Sequence, residues 1–306
     1  MVPFIFMLAL ALTCCATSSP QTDAYLLKNP SIPKSFKIEN MPFIEQAAGY
    51  CGPATLAMAL RFNGKNISEQ DVAAQAFTPG MKGTLQTDMI SASRRQGMLA
   101  IPIEGLDNLL MEVSSGHPVI VFENLAVSWL PQWHYAVVFG YDLSKEIVIM
   151  HSGPEAFKHW DLRKFERSWK LADYWGLVIL PPGQLSATAN ELNHAKASAA
   201  LEQLGKLDEA DLSYREILKR WPESLTAGIG ASNIAVLKKN PAEAEIILKK
   251  TILFHPTSAA SWHNLTIALG KNKKKKEAKE SAKQALKWAS DEEKKSFITN
   301  LKPWLD

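Results

Sequence analysis

Cysteine is scarce in this 306-residue chain. There are three, Cys14, Cys15 and Cys51, and two of them stand among the first fifteen residues. A lone body thiol cannot close an internal disulfide, so no disulfide framework organises the rest. The seven histidines are scattered, and no zinc site of ordinary spacing is read; no metal or other cofactor is expected. Charge of one sign is lacking too. Lys and Arg number 34 against 31 Asp and Glu, a formal net charge of +3, too small to argue for a nucleic-acid partner. No GxxxxGKS/T phosphate loop occurs, and ATP is not expected. The apolar run Phe4–Leu12 has nine residues, whereas a helix that crosses a bilayer needs about 20. What is present is 46% hydrophobic residues, enough for one or two domains with real cores, and nine tryptophans that mostly precede residue 184.

The run FIFMLALAL has the length of the apolar core of an export signal. The following Leu12-Thr13-Cys14-Cys15 resembles the bacterial lipoprotein signal, with Cys15 as the residue that receives lipid. Two features depart from that pattern: no Lys or Arg precedes the run, and a cysteine stands just before Cys15. The resemblance implies a signal peptide over 1–15 and a chain lipid-anchored on the periplasmic face. Ala16 is not an inner-membrane retention signal, which points to the outer membrane. Residues 16–40 are polar and proline-bearing and read as a tether.

Residues 41–183 carry a mixed pattern. Helices are expected over Ala54–Phe62 after Pro53, over Ser68–Phe77 with Ser68 and Asp71 as a capping pair, over Thr84–Gln96 and over Leu106–Ser114. Strands rich in Val, Ile and aromatics follow: Pro118–Phe122, His134–Tyr141, Glu146–His151 and Trp175–Leu180. Asp142–Lys145 reads as a hairpin turn, and Asp161–Trp169 as a helix between strands. Helices first and a largely antiparallel sheet afterwards give an α+β domain. Pro181-Pro182-Gly183 closes it, and 184–193 is a hinge.

Beyond the hinge the chain repeats itself every 34 residues. Ala210, Ala244 and Ala278 share one register, and so do Pro222 and Pro256, Leu201, Ala235 and Leu269, and Leu218, Ile252 and Leu286. The period predicts helix pairs in which the alanines allow close packing and the prolines end the second helix. One pair cannot bury its own apolar face, so pairs stack. The pattern, with its Leu204-Gly205-Lys206 turn, resembles the tetratricopeptide repeat. Lys239 and Lys273 replace that glycine in the later units. Units at about 195–222, 223–256 and 257–290, with a capping helix over 291–304, form an all-α array spanning 195–304. The run Lys273–Lys276 is placed in a turn.

The chemistry centres on Ile44-Glu-Gln-Ala-Ala-Gly-Tyr-Cys-Gly-Pro-Ala-Thr-Leu56. A cysteine just before an apolar helix has its thiolate stabilised by unpaired helix N–H groups. Gln46 is placed to help a backbone N–H hold a developing oxyanion. His134 opens a strand and is a candidate to take the thiol proton. Trp129, Trp133 and Asn124 are candidate cleft walls.

Gln46, Cys51-Gly52-Pro53, Gly116-His117-Pro118-Val119, His134-Tyr135-Ala136-Val137-Val138 and Gly140-Tyr141-Asp142 together resemble the papain-like cysteine peptidases of the C39 type. The resemblance covers roughly 40–182. It implies Cys51 as nucleophile, His134 as base and Gln46 in the oxyanion hole. That family usually orients its histidine with an Asp at the end of the next strand. Here the slot reads Met150-His151-Ser152-Gly153, without a carboxylate. His151, Ser152 and Asp142 are the candidate substitutes.

Three functions follow. The first is a periplasm-facing thiol peptidase or peptide-processing enzyme acting on a peptide or protein, with the repeats recruiting substrate or a protein partner. The second is a catalytically weak or inactive peptide-binding or assembly lipoprotein. The third is a cysteine-dependent transamidase or acyltransferase.

Overall fold

A computed structural model describes residues 18–28, 31–47, 49–81 and 83–305. The apolar run Phe4–Leu12 and Cys15 lie outside the described residues. No helix among them is long and apolar enough to cross a membrane. The chain divides into two compact units. One runs to Pro181 and regains Ser186–Ala189; the other takes Pro182–Leu185 and continues from Asn190.

In chain order the first unit has α1 (Pro20–Leu27), β1 (Ser35–Lys37), α2 (Cys51–Phe62), α3 (Glu69–Ala76) and α4 (Gln86–Arg95). There follow β2 (Leu99–Glu104), α5 (Leu106–Ser114), β3 (Val119–Asn124), β4 (Trp133–Asp142), β5 (Ile147–Ser152), β6 (Glu155–Asp161), α6 (Leu162–Lys170) and β7 (Trp175–Leu180). Gly52 to Leu60 of α2 are all buried, as an all-round apolar helix requires. The expected capping box at α3 is present: Asp71 N–H donates to Ser68 Oγ at 3.1 Å, and Ser68 N–H donates to Asp71 Oδ2 at 3.2 Å.

The strands form a seven-stranded sheet in the order β2-β7-β3-β4-β5-β6, with β1 paired to β4; every pairing is antiparallel. β4 is the axis of the unit. Its first half pairs with β3 and its last three residues with β1. Tyr135, Val137 and Phe139 face the core built by α2, α3 and α4. Their alternates, Ala136 and Val138, are equally buried on the other face, so the strand reads as a continuous apolar run. Gly140 sits at a bulge, where a Cβ would come within 3.0 Å of the Phe36 carbonyl oxygen.

Three parts of this unit differ from expectation. Residues 16–40 are not a plain tether, because within them α1 docks on the domain and β1 joins the sheet. The buried Glu166 accepts the Gln21 N–H at 2.9 Å and the Thr22 N–H at 2.7 Å, so a carboxylate holds the first turn of α1. Strand β2 was not expected; its Pro102 weakens the strand signal, yet it pairs only with β7. Strand β6 was missed as well. It is a solvated edge, Glu155-Ala-Phe-Lys-His-Trp-Asp161, with no apolar run and slight burial.

The second unit is a run of antiparallel helices: α7 (Glu191–Gln203), α8 (Leu207–Arg220), α9 (Leu225–Leu237), α10 (Pro241–Phe254), α11 (Ala259–Lys271), α12 (Lys275–Trp288) and α13 (Asp291–Leu305). The pairs α7–α8, α9–α10 and α11–α12 are a tetratricopeptide-like arrangement, and α13 follows them. Ala210, Ala244 and Ala278 are fully buried in the second helix of each pair. Pro222 and Pro256 lie just past the ends of α8 and α10. The period extends to the backbone. Asn190, Ser224 and Ser258 cap the first helices with their side chains, 34 residues apart. Gly205, Lys239 and Lys273 share a positive φ of 72°, 60° and 62° in the turn inside each pair. The turn there ends at Lys274, and Lys275 and Lys276 belong to α12. Gly230 needs its missing side chain, since a Cβ would lie 2.3 Å from the Tyr214 ring.

Candidate active site

Cys51 is the first residue of α2, and no side chain caps that helix: Tyr50 precedes it without a capping hydrogen bond. The thiol therefore sits among backbone N–H groups. Those of Tyr135, Gly52 and Cys51 itself draw its pKa down. Burial outweighs them, and the Cys51 thiol is pushed above its ordinary value. Tyr135 immediately follows His134, so the sulfur lies against the backbone at the start of β4.

Cys51, Gln46, Thr84, Trp133, His134 and Gly153 line one cleft of about 690 Å³. Gln46 is locked onto Gly153. Its Oε1 accepts the Gly153 N–H at 3.2 Å, and its own N–H reaches the Gly153 carbonyl at 3.4 Å. That orientation turns Nε2 away from Gly153, and Nε2 is buried with no described acceptor. Thr84 Oγ1 is a second buried group without a described partner. It is close to the start of α2: a Cβ on Gly52 would lie 2.8 Å from it. Tyr135 holds this wall by donating its hydroxyl to the Thr84 carbonyl at 3.1 Å. Tyr135 and Gly153 stand beside His134 and Ser152 in the chain, but their contacts with Thr84 and Gln46 join residues 51 and 107 positions apart and are not legible in the sequence, and Thr84 has no distinctive neighbour.

His134 is the second residue of β4, after Trp133. Its Nε2 pairs with Ser152 Oγ at 3.1 Å, and no hydrogen bond joins it to Cys51 among the described residues. Burial, then the charge of Lys158, depress the imidazole to about 4. At neutral pH both groups are therefore neutral: a thiol above its usual range and an imidazole below it.

The other expected site residues are distributed differently. Ser152 is the one of the three candidate orienters that meets His134. His151 is fully buried on the opposite face of β5, where Nε2 reaches the Met41 carbonyl at 3.4 Å and Nδ1 accepts the Phe157 N–H at 3.1 Å. Both ring nitrogens are thus used far from His134. Asp142 closes the β4–β5 turn by accepting the N–H groups of Ser144 at 3.0 Å and Lys145 at 3.2 Å. It is eight residues along the strand from His134 and does not orient it. Trp133 lines the cleft and stacks on Phe122 with ring centroids 5.1 Å apart. Trp129 does not line it; the residue is 82% exposed on the β3–β4 loop. Nor does Asn124, whose Oδ1 accepts the N–H groups of Ala126 at 3.0 Å and Gln132 at 2.9 Å and so shapes that loop.

Residues 38–175 match the Peptidase_C39 like family. No curated protein matches the chain. Among solved structures, a protein described as a C39-like peptidase from Bacillus anthracis is 17% identical, covering 50% of this chain and 98% of its own, with a TM-score of 0.41. The peptidase domain of Streptococcus ComA, described as a bifunctional ABC transporter, is 21% identical over 46% of this chain and 99% of its own, with a TM-score of 0.39. The second tetratricopeptide domain of human RPAP3, solved with an HSP70 peptide, is 16% identical over 38% of this chain and 95% of its own, with a TM-score of 0.35.

Proposed function

We propose that the first unit is a peptide-binding C39-like domain with weak or no hydrolysis, and that the helical repeats recruit a protein partner or the peptide's parent protein. Lipid on Cys15 would anchor the chain on the periplasmic side, at the outer membrane. The observation that carries the binding reading is the bond from His134 to Ser152. It offers the ring a neutral hydroxyl in place of a carboxylate, and the ring's depressed basicity leaves Cys51 protonated at rest. A cleft with two polar atoms that have no partner among the described residues, Gln46 Nε2 and Thr84 Oγ1, suits a peptide backbone. The test is a fluorescent peptide library offered to the full chain and to Cys51→Ala. Equal binding by both, with no cleavage products from the unsubstituted chain, is expected. Cleavage that stops in Cys51→Ala would replace this reading with the peptidase.

A second reading is favoured by Gln46. Its free amide donor is what an oxyanion hole needs, and a pure binding groove has less use for it. In that reading Cys51 passes its proton to His134 as it attacks a peptide carbonyl, and the site works slowly because the ion pair is not preformed.

A further inference from the structure

The carboxylate missing from the strand after His134 has a counterpart on the strand before it. In the β3–β4 ladder Glu123 stands directly opposite His134. Directly opposed residues of an antiparallel pair project to the same face, with Cβ atoms about 5 Å apart. Glu123 is fully buried there. Its Oε2 accepts the Ser168 hydroxyl of α6 at 2.7 Å, while Oε1 meets no described donor. A buried carboxyl oxygen left without a donor costs about 1–3 kcal/mol, so it asks for a reason.

We infer that Glu123 is the positioning residue for His134, supplying from the preceding strand the negative charge that Met150-His151-Ser152-Gly153 lacks. This rests on the second reading above, in which His134 receives the Cys51 proton. β4 presents His134, α6 presents Ser168 and carries Lys164, Arg167 and Lys170 along the pocket that Ser168 and Asn124 line, and β7 has no titratable side chain. The charge of Lys158 on β6 is felt by both Glu123 and His134. β5 contributes the neutral Ser152.

The consequence is a dependence on pH. Burial raises Glu123 to about 7, against the pull of Ser168 and Lys158. Between about 4 and that value an uncharged carboxyl stands opposite an uncharged imidazole. Above it a carboxylate stands beside the imidazolium that forms when the proton leaves Cys51 Sγ for the ring, and stabilises it. The transfer creates one thiolate and one imidazolium and needs no other reactant.

The experiment measures the rate constant for iodoacetamide alkylation of Cys51 in the full chain across pH, with the site identified by peptide mass. The unsubstituted chain should show a step near pH 7, below the thiol's own titration. Glu123→Gln keeps the shape and removes the charge; it should erase the step and slow alkylation about tenfold near pH 8, the equivalent of about one pKa unit. Ser168→Ala withdraws the hydroxyl that favours the anion and should move the step to higher pH. A Glu123→Gln profile identical to that of the unsubstituted chain would overturn the inference. If Glu123→Gln does not fold, an unmoved step in Ser168→Ala overturns it. His134→Ala separates the two levels. A profile unchanged by His134→Ala defeats the Cys–His reading together with the inference. A profile changed by His134→Ala and untouched by Glu123→Gln defeats the inference alone.

Discussion

The imidazole of His134 is held by the hydroxyl of Ser152, with 3.1 Å between Nε2 and Oγ. A serine can fix the plane of the ring but brings no charge to its protonated form. Placing a carboxylate there should change the site. Ser152→Asp is expected to raise the His134 pKa from about 4 by one unit or more and to speed Cys51 alkylation about tenfold at neutral pH. Histidine-selective NMR titration checks the first effect and alkylation kinetics the second. An unmoved His134 resonance would show that this slot does not govern the ring.

Gln46 offers the next prediction. Oε1 is engaged by Gly153, while Nε2 lines the cleft side of the residue with no acceptor among the described residues. Gln46→Ala removes that donor. A peptide selected from the library should bind roughly tenfold more weakly, the loss of a single buried hydrogen bond. If the site is hydrolytic, cleavage should instead fall by about 100-fold or more with a smaller change in binding, because an oxyanion donor acts in the transition state. The ratio of the two losses separates the readings.

The repeat turns make a stability prediction. Lys239 and Lys273 adopt a positive φ that Gly205 adopts at the same place in the first unit. The left-handed conformation costs a side-chain-bearing residue about 1–2 kcal/mol, part of which glycine returns through its freer unfolded chain. Lys239→Gly should stabilise the array by about 0.5–1 kcal/mol, and Gly205→Ala should destabilise it by about 1 kcal/mol. Urea unfolding followed by circular dichroism reads both. Gly230→Ala should do greater damage, about 1–3 kcal/mol, because the Tyr214 ring occupies the space.

Acid should loosen the first unit through Glu112. Burial raises that carboxyl, but hydrogen bonds from His117, Ser186, Thr188 and the Ala187 N–H outweigh it and hold the group at about 2. Its folded pKa lies below its unfolded one, so the contribution is complete above about pH 4.5 and disappears as pH falls through about 2. The contribution is on the order of 3 kcal/mol. Thermal melts of the unsubstituted chain and of Glu112→Gln should differ most near neutrality and converge toward pH 2. A constant difference would assign the cost of the variant to packing.

Several elements could be read from the chain because their causes are local. Leu106–Ser114 and Trp175–Leu180 fall where expected, since a Gly-bounded amphipathic run and an apolar β-rich run leave few alternatives. The 34-residue register announced the helix pairs. The site was half legible. Cys51, Gln46 and His134 have recognisable neighbours and do line one cleft. Glu123 was not visible, because its relation to His134 exists only through the register of two strands. Ser168, which holds it, is farther still along the chain. His151 looked like a polar candidate and turned out to be a structural ring, satisfied on both nitrogens by backbone. Trp129 and Asn124 failed for a related reason: closeness in sequence to His134 says nothing about which side of a loop a side chain takes.

The docking of α1 has a reach beyond the fold. Ser18 is hydrogen-bonded by Lys170, and Gln21 and Thr22 are gripped by Glu166, so the first of the described residues lie against α6. Two residues, Ala16 and Thr17, separate Ser18 from Cys15, a span of about 10 Å at full extension. An acyl group carried on Cys15, as proposed, would therefore leave almost no leash. The domain would ride on the lipid surface with its α6 flank toward the headgroups, and its cleft would sample only peptides delivered within a short height of the bilayer.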